Sequence, residues 1–238
     1  MDTTPSNHHD IRQSSARFDF SGMAGSYDQW YATRKGRAYD AVEKRAVAKM
    51  LSPVRPDSRL LEVGCGTGHW SAFFAEKGFD VSGMDISADM VAVARRGHAA
   101  HGTFQVGDAH AIPFDNGEFD VTVAITTLEF VRDAEAVVRE MARCTRRPGG
   151  VLLVGVLNSL APINVKRKAA SSSTYKVARF FSPNEVSALL ASYGSPRVMV
   201  AAHFPSVFGR AWFSPIAQCL GRFLHPQQGA FIVGRVIL

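Results

Sequence analysis

Short apolar stretches alternate with amphipathic stretches through the middle of the chain. Apolar runs of about four to eight residues predict buried strands, and apolar residues three or four positions apart predict helices. The predicted strands cover residues 59–63, 79–85, 103–107, 119–125 and 151–157. The predicted helices cover residues 39–51, 69–77, 88–96 and 133–145, and Gly97 is expected to end the third of them. This alternation predicts a doubly wound α/β fold with right-handed crossovers and a parallel sheet.

The pattern changes after the fifth predicted strand. Residues 158–181 combine Asn, Pro, Ser and basic residues without a clear period, which predicts a mobile connection. Ser182, Pro183 and Glu185 are typical of a helix start, since they supply an N-cap, a proline at the first helical position and a capping-box glutamate. This helix is expected to end near Gly194. Two last strands are predicted over residues 197–202 and 230–238.

Length and composition indicate one globular domain. With 238 residues, of which 46% are hydrophobic, an α/β domain would bury roughly 70 to 75% of its unfolded surface. Residues 1–20 begin with a polar stretch that has no apolar run of signal-peptide length, so we expect a flexible leader. The sequence contains no run of about 18 apolar residues, so we expect no transmembrane helix. The three cysteines lie far apart without a C-x-x-C pair, which favours a reducing cytoplasm over a disulfide framework or a metal site.

The chain carries a formal net charge of +6. Charge alone allows an anionic partner without assigning one. Basic side chains are dense in residues 166–179, and a solvated loop is the simplest interpretation of this segment. Weak contact with an anionic membrane surface, or with an anionic substrate, is the alternative.

A glycine-rich turn follows the first predicted strand. Residues 60–68 read LLEVGCGTG, with glycines at 64, 66 and 68 that allow positive φ angles and close approach of a ligand. In the dinucleotide fingerprint G-x-G-x-x-G, the last glycine would fall on His69. Glu62 places a carboxylate at the strand end, where it repels a pyrophosphate and attracts an amino group. The turn therefore favours a cationic ligand without phosphates.

Further landmarks follow the turn in order. Asp85 ends the second apolar run about 20 residues later, the usual offset for a carboxylate that binds ribose hydroxyls. Asp108 lies in a Gly-Asp-Ala segment, and Ile-Pro-Phe, Phe-Asp-Val and Arg-Pro-Gly-Gly come after it. Over residues 57–157 the chain resembles the class I S-adenosylmethionine-dependent methyltransferases, in particular the type 11-like small-molecule methyltransferases.

The resemblance implies a Rossmann-like, seven-stranded, mostly parallel sheet with an antiparallel edge strand, in a three-layer α/β/α arrangement. Residues 21–238 would form a single methyltransferase domain. Its cofactor-binding core would span residues 57–157, its variable substrate-side segments residues 158–226, and its last strand residues 229–238. We find no internal repeat and no second domain in the sequence.

The same resemblance implies S-adenosylmethionine as the cofactor and S-adenosylhomocysteine as the product. The glycine turn would hold the methionine part, Asp85 the ribose hydroxyls and Asp108 the adenine, while Glu62 would help to hold the amino group. Tyr27 would lie near the methionine end, in an aromatic segment that folds over the cofactor. The expected cofactor-binding residues are Tyr27, Glu62, Gly64, Cys65, Gly66, Gly68, Asp85, Ile86, Met90, Asp108, Ala109 and Ile125.

Methyl transfer from a sulfonium occurs by in-line displacement. The leaving group needs no protonation, and alignment alone can lower the barrier by roughly 7 to 11 kcal/mol. We therefore assign no catalytic residue, and interpret His69 and His110 as structural residues or cofactor neighbours. The acceptor is expected to be small and partly apolar. Its candidate binding residues are Trp30, Glu129, Phe204 and Trp212.

Other functions stay open at this stage. An NAD-dependent oxidoreductase is disfavoured by the missing third glycine and by Glu62. A nucleic-acid methyltransferase would suit the basic charge, but the Asn/Asp-Pro-Pro-Tyr/Phe motif of many base-methylating enzymes is absent and nucleic acid is not the expected partner. A non-catalytic protein that binds S-adenosylmethionine is the third alternative. Neither the acceptor nor the oligomeric state follows from the sequence.

Overall fold

A seven-stranded sheet forms the centre of the computed structural model, which describes residues 15–238 except 53, 56, 171–173 and 204–214. The strands are β1 Arg59–Val63, β2 Asp80–Asp85, β3 Thr103–Val106, β4 Val121–Ile125, β5 Val151–Leu157, β6 Arg197–Ala201 and β7 Phe231–Ile237. Their order is β3-β2-β1-β4-β5-β7-β6. β1 to β5 pair in parallel, and β7 runs antiparallel to both β5 and β6. The predicted mostly parallel sheet with an antiparallel pair at one side is confirmed.

Helices cover both faces of this sheet. They are α1 Gln29–Ala32, α2 Arg34–Leu51, α3 His69–Glu76, α4 Ala88–His98, α5 Ala134–Cys144, α6 Pro162–Ala169, α7 Pro183–Ala191 and α8 Pro215–Leu224. Successive strand residues point to opposite faces, which separates the two cores. Leu60 and Leu153 pack with α2 and α3, whereas Leu61 and Leu152 pack with α5 and α7. The expected three-layer α/β/α arrangement follows from this alternation.

Local capping signals place the helix starts where the sequence predicts them. Ser87 Oγ accepts a hydrogen bond from the Met90 amide at the start of α4, and Asp133 accepts one from Ala136 at the start of α5. The capping box at the start of α7 is confirmed, with both of its hydrogen bonds present. These side chains satisfy amide groups that the first helical turn leaves unpaired.

Two element predictions are wrong. α4 continues through Gly97 to His98, because a single glycine lowers helix stability by only about 1 kcal/mol and does not end a helix. The supposedly irregular stretch 158–181 contains α6. This helix carries no clear apolar period, and the buried Asn164 anchors it instead by donating hydrogen bonds to the carbonyls of Asn158 and Ala230, at 2.9 and 2.8 Å.

The described end of the predicted leader, residues 15–20, makes contacts with the rest of the chain. Ala16 forms an antiparallel bridge with Val131. The Arg17 amide donates to the Phe130 carbonyl at 2.6 Å, and Arg132 donates to the Ser15 carbonyl at 3.0 Å. Residues 15–20 are therefore attached to the segment after β4.

The helices were compared with the length and hydropathy that a membrane span requires. Within the described ranges, no helix combines the length and the apolar character that crossing a lipid bilayer requires.

Candidate functional site

A cleft opens at the carboxyl ends of the parallel strands. Val63 ends β1, Asp85 ends β2 and Ile125 ends β4, and all three line this cleft. We call it the first cavity; it encloses about 740 Å³ of empty space, part of it open to solvent. The chain switches direction across the sheet between β1 and β4, and ligands of open α/β sheets bind at such a switch point.

The glycine turn forms part of the cavity wall. Gly64, Gly66 and Gly68 have φ angles of 76°, 52° and 89°, a region that favours glycine. A Cβ atom at Gly64 would lie 2.3 Å from Thr127 Cγ2, so this position also requires the absence of a side chain. A Cβ atom at Gly66 would meet no heavy atom within 4 Å, and Gly66 lines the cavity. The backbone at Gly66 is therefore open to a ligand.

Asp85 is fixed at the end of β2 by two backbone hydrogen bonds. Its Oδ2 atom accepts from the Gly66 amide and its Oδ1 atom from the Ser87 amide, both at 2.9 Å. Burial raises the pKa of Asp85, although these bonds act in the opposite direction. Each oxygen keeps lone pairs for a further donor, so the carboxylate can accept two hydroxyl groups from a ligand.

Asp108 and His110 form a second polar group on the same cavity. The His110 amide and Nδ1 both lie 2.9 Å from Asp108 Oδ1, and the Asp133 amide donates to His110 Nε2 at 3.4 Å. These contacts fit the tautomer that carries its proton on Nδ1. Burial alone would raise the pKa of Asp108, but the hydrogen bonds from His110 hold it below its usual value. Asp108 is therefore a stable anion on the wall of the first cavity.

Glu62 lies beneath the glycine turn and does not line the first cavity. Its side chain is 1% exposed and accepts a hydrogen bond from Ser71 Oγ. Burial raises the pKa of Glu62 to about 8. The proposed contact between Glu62 and an amino group thus stays a prediction, since the carboxyl group is held by α3 in this structure.

The residues before α2 cover the first cavity. We call residues 15–33 the cover segment, and its Phe18, Phe20 and Tyr27 line the cavity. Asp28 connects this segment to the glycine turn, because its Oδ1 atom accepts a hydrogen bond from Thr67 Oγ1 at 2.7 Å. Burial raises the pKa of Tyr27 well above its usual range, so its hydroxyl stays protonated.

His69 begins α3 and does not line the first cavity. Its ring stacks on Tyr31 with 3.7 Å between the ring centroids. Its Nε2 atom lies 2.8 Å from Asp40 Oδ1 and 2.9 Å from Lys44 Nζ. These contacts support the interpretation of His69 as a structural residue.

A second cavity adjoins the first. Phe20, Tyr27, Thr126 and Phe130 line both cavities, and we call these four residues the shared wall. Thr126 has a φ angle of 49°, an unfavourable conformation for a β-branched residue. Strain of this kind is often concentrated at functional sites. The remaining side chains of the second cavity are mostly aromatic or charged, and they include Trp30, Tyr31, Tyr39, Glu43, Arg167 and Tyr175.

Glu129 is a fully buried acid next to the second cavity. Its Oε1 atom accepts a hydrogen bond from the amide of Leu157, a cavity residue, at 2.6 Å. Its Oε2 atom is buried and has no hydrogen-bond partner among the residues that the structure describes. Burial raises the pKa of Glu129 to about 8, and the charge of Glu129 helps to raise the pKa of both Tyr27 and Tyr175. The carboxyl group therefore lies within electrostatic reach of two residues that line the cavity.

Most of the expected cofactor residues converge on the first cavity. Those that line it are Tyr27, Gly64, Gly66, Asp85, Ile86, Met90, Asp108, Ala109 and Ile125. Glu62, Cys65 and Gly68 do not line it, and Cys65 instead packs in a small core with Phe104. Of the expected acceptor residues, Trp30 lines the second cavity and Glu129 adjoins it. Phe204 and Trp212 lie outside the described residues.

The sequence did not reveal the apolar side chains that line the first cavity but lie outside the glycine and aspartate motifs. Phe18 and Phe20 precede the aromatic segment in which Tyr27 was singled out, and their spacing was a usable signal. Phe130 lies five residues after the end of β4 and also lines the cavity. Arg167 lies in the basic segment 166–179, for which contact with an anionic substrate was left open, but nothing distinguished it from its basic neighbours because the hydrophobic pattern did not predict its helix.

Known proteins resemble this chain in both sequence and fold. Residues 61–154 match the family model described as a methyltransferase domain. This match, with the relatives described below, supports a class I S-adenosylmethionine-dependent methyltransferase domain over these residues. S-adenosylmethionine is the methyl donor of such domains.

Two methyltransferases illustrate the sequence similarity. A malonyl-[acyl-carrier protein] O-methyltransferase from Serratia marcescens is 33% identical over 138 residues, which cover 58% of this chain and 51% of the relative. A demethylmenaquinone methyltransferase from Beutenbergia cavernae is 40% identical over 115 residues, 48% of this chain and 47% of the relative. The chain spans about half the length of these curated relatives.

One solved methyltransferase illustrates the similarity in fold. The structure of an S-adenosylmethionine-dependent methyltransferase from Thermotoga maritima, described as a possible histamine N-methyltransferase, superposes with a TM-score of 0.69. The two chains are 24% identical, and the match covers 92% of this chain and 97% of the other. This likeness concerns the class I methyltransferase fold and not the acceptor.

Proposed function

We propose that this chain transfers a methyl group from S-adenosylmethionine to a small, partly apolar acceptor. The observation that carries the proposal is the shared wall between two cavities. The first cavity lies at the strand ends, where the family binds its cofactor, and the second presents aromatic rings to an acceptor. A methyl group at the shared wall would be accessible from both.

The residues of the first cavity fit the cofactor. Gly66 leaves its backbone open, Asp85 retains lone pairs for two ribose hydroxyls, and Asp108 presents a carboxylate to a polar group of the nucleoside. Ile86 and Met90 supply apolar surface for a flat ring. We propose that these residues hold the nucleoside while the glycine turn holds the methionine part.

The chemistry depends mainly on positioning. The bound cofactor supplies a methyl group on a positively charged sulfur. The sulfur is the leaving group, and it needs no acid because it becomes neutral when the methyl group is transferred. The protein has to align the acceptor with this methyl group and exclude water. The cover segment closes the first cavity, and the protonated Tyr27 hydroxyl at the shared wall can donate a hydrogen bond to the acceptor.

Glu129 is the proposed contact for a proton of the acceptor. With a pKa of about 8, its carboxyl group is mostly protonated at neutral pH. When the pH rises above this pKa, the group is mostly ionised and can accept a proton. Its unpartnered Oε2 atom has no competing hydrogen bond. This arrangement supports a role in binding an acceptor hydroxyl or amine, or in removing its proton.

A small acceptor suits the second cavity better than a polynucleotide does. Rings from the cover segment, α2 and the Thr174–Lys176 turn surround it. A polynucleotide methyltransferase has to admit a base that remains attached to its backbone. We therefore retain the small-molecule acceptor, and salt-sensitive RNA binding would argue for the alternative.

Calorimetric titration with S-adenosylhomocysteine tests the proposal. We expect binding by the full chain and at least tenfold weaker binding by Asp85→Ala, because the variant loses the carboxylate for the ribose hydroxyls. Asp80→Ala is the matched control, since Asp80 is exposed at the opposite end of β2. Absence of binding by the unmodified chain would refute cofactor use, and equal affinity of the two variants would refute the role of Asp85.

Mass spectrometry identifies the acceptor. A cell extract is incubated with the protein and with a cofactor that carries an isotope-labelled methyl group. We expect one or a few small molecules to gain the label. Label found only in RNA or in protein would contradict the proposed acceptor class.

A further inference from the structure

Arg167 is the feature of the second cavity that the proposed function leaves unused. It lies on α6 and lines the second cavity only. Its guanidinium carbon lies 5.6 Å from the ring centre of Trp30 and 5.5 Å from those of Tyr39 and Tyr175. Three aromatic rings thus surround the guanidinium, and they limit its access to water.

Most donors of this guanidinium remain available. Arg167 Nη1 donates to Asn164 Oδ1 at 3.0 Å, and no other hydrogen bond from its side chain is found among the described residues. An arginine has five N–H donors arranged as a planar fork. No carboxylate oxygen of the described chain lies within 4.0 Å of its nitrogens, although Glu43 lines the same cavity.

The neighbouring ionisable groups leave the second cavity with positive charge. Burial raises the pKa of Glu43 to about 7 even though the nearby charge of Arg167 acts to lower it, so the carboxyl group is not fully ionised at pH 7. Glu129 has a pKa of about 8 and is mostly neutral at this pH. Burial and the nearby charge of Arg167 both lower the pKa of Lys35, which indicates that the two cations lie close together. Arg167 is therefore a full positive charge without a full counter-charge.

An anionic ligand group would complete this arrangement. The planar fork of an arginine binds carboxylate and phosphate groups with two parallel hydrogen bonds, and such bonds are stronger away from water. We propose that the acceptor carries a negatively charged group, a carboxylate or a phosphate, and that Arg167 binds this group while the surrounding rings cover the acceptor's apolar body. This inference rests on the methyl transfer proposed above.

Binding of simple aromatic probes tests the charge preference. The acidic probes are benzoate, phenylacetate and phenyl phosphate; the neutral probes are benzamide and phenylacetamide; the cationic probe is benzylamine. Each is titrated calorimetrically into the full chain saturated with S-adenosylhomocysteine. We expect at least one acidic probe to bind ten times more tightly than its neutral counterpart and than benzylamine. Comparison of benzoate with phenyl phosphate distinguishes the two anionic groups.

Variants of α6 show whether Arg167 causes the preference. Arg167→Gln should reduce the affinity for the acidic probe at least tenfold and leave the affinity for the amide within twofold. Arg167→Lys keeps the charge but loses the fork, so it should show an intermediate loss. Lys166→Gln removes the same charge from an exposed neighbour and should change neither affinity. Affinity for S-adenosylhomocysteine should be the same in all three variants, which also reports that they are folded.

The outcomes separate this inference from the proposed function. Equal binding of acids and amides, failure of every acidic probe to bind, or an acid preference that survives in Arg167→Gln would overturn the role of Arg167. Any of these results with intact binding of S-adenosylhomocysteine would leave the cofactor site standing. If the unmodified chain did not bind S-adenosylhomocysteine, the proposed function would be overturned instead. The probes would then be titrated into the chain without S-adenosylhomocysteine.

Discussion

At the scale of single residues, the buried acids differ in what stabilises their charge. Asp108 is kept ionised by hydrogen bonds from His110, whereas Glu62 and Glu129 lie in surroundings that disfavour their anions. Within the described part of the chain, Glu62 has only Ser71 as a side-chain hydrogen-bond partner, and Glu129 leaves one oxygen unpaired. Acids with raised pKa values near a cavity are candidates for functional roles, because a ligand can supply the missing partner.

Replacing Glu62 should change how stability depends on pH. A carboxyl group whose pKa rises from 4.5 to about 8 on folding contributes fully to stability below pH 4.5, and this contribution is lost as the pH rises through 8. The loss for Glu62 should be on the order of 2 to 4 kcal/mol. Since glutamine is always neutral, Glu62→Gln should lose less stability than the unmodified protein between pH 5 and 8.5.

Urea unfolding at several pH values measures this effect. Glu76→Gln is the control, because it removes a carboxyl group from the exposed end of α3. The control should follow the pH dependence of the unmodified protein. If the free energy of unfolding depended on pH in the same way for Glu62→Gln and the unmodified protein, Glu62 would be ionised without penalty in the folded state.

At the scale of elements, the cover segment connects the ends of the sheet to the glycine turn. The contacts that hold it include the bridge between Ala16 and Val131 and the hydrogen bond from Thr67 to Asp28. Its aromatic side chains line both cavities. The segment therefore has the position of a lid, and its attachment should affect cofactor affinity more than it affects global stability.

Cutting the link to the glycine turn tests the lid. Asp28→Ala removes one hydrogen bond to a charged acceptor, and such bonds at a partly exposed site contribute about 0.5 to 1.5 kcal/mol. We expect S-adenosylhomocysteine to bind about three to ten times more weakly, with little change in the free energy of unfolding. Gln29→Ala, which alters the exposed neighbouring side chain, should bind like the unmodified protein. Unchanged affinity in Asp28→Ala would mean that the segment does not act on the cofactor site.

The elements also show what the sequence could predict. Strand positions and the caps at Ser87, Asp133 and Ser182 depend on neighbouring residues, and they were predictable. The structure of 15–20 and of α6 depends on hydrogen bonds to residues distant in sequence, such as those from Asn164 to Ala230. Local patterns carry no trace of such contacts, so both were predicted to lack structure.

The same distinction applies to the site. Residues at strand ends converge because parallel strands end at one edge of the sheet, so the positions of Asp85 and Asp108 could be inferred from the sequence. The second cavity brings together the cover segment, α2 and α6. Glu43 and Arg167 meet there only through the packing of helices that lie far apart in the chain. Sequence reasoning therefore predicted the cofactor side better than the acceptor side.

At the scale of the whole molecule, the proposed methyl transfer depends on the relative position of the two cavities. The sheet places the first at its carboxyl edge, and the cover segment with α2 and α6 encloses the second. The shared wall is where the reacting atoms would have to meet. Neither cavity alone would explain a group transfer.

A crystal structure with S-adenosylhomocysteine bound tests this central claim most directly. We predict that the ribose contacts Asp85 and that the sulfur lies at the shared wall, facing the second cavity. A ligand in another place, or one whose sulfur faces away from Tyr27 and Thr126, would contradict the account.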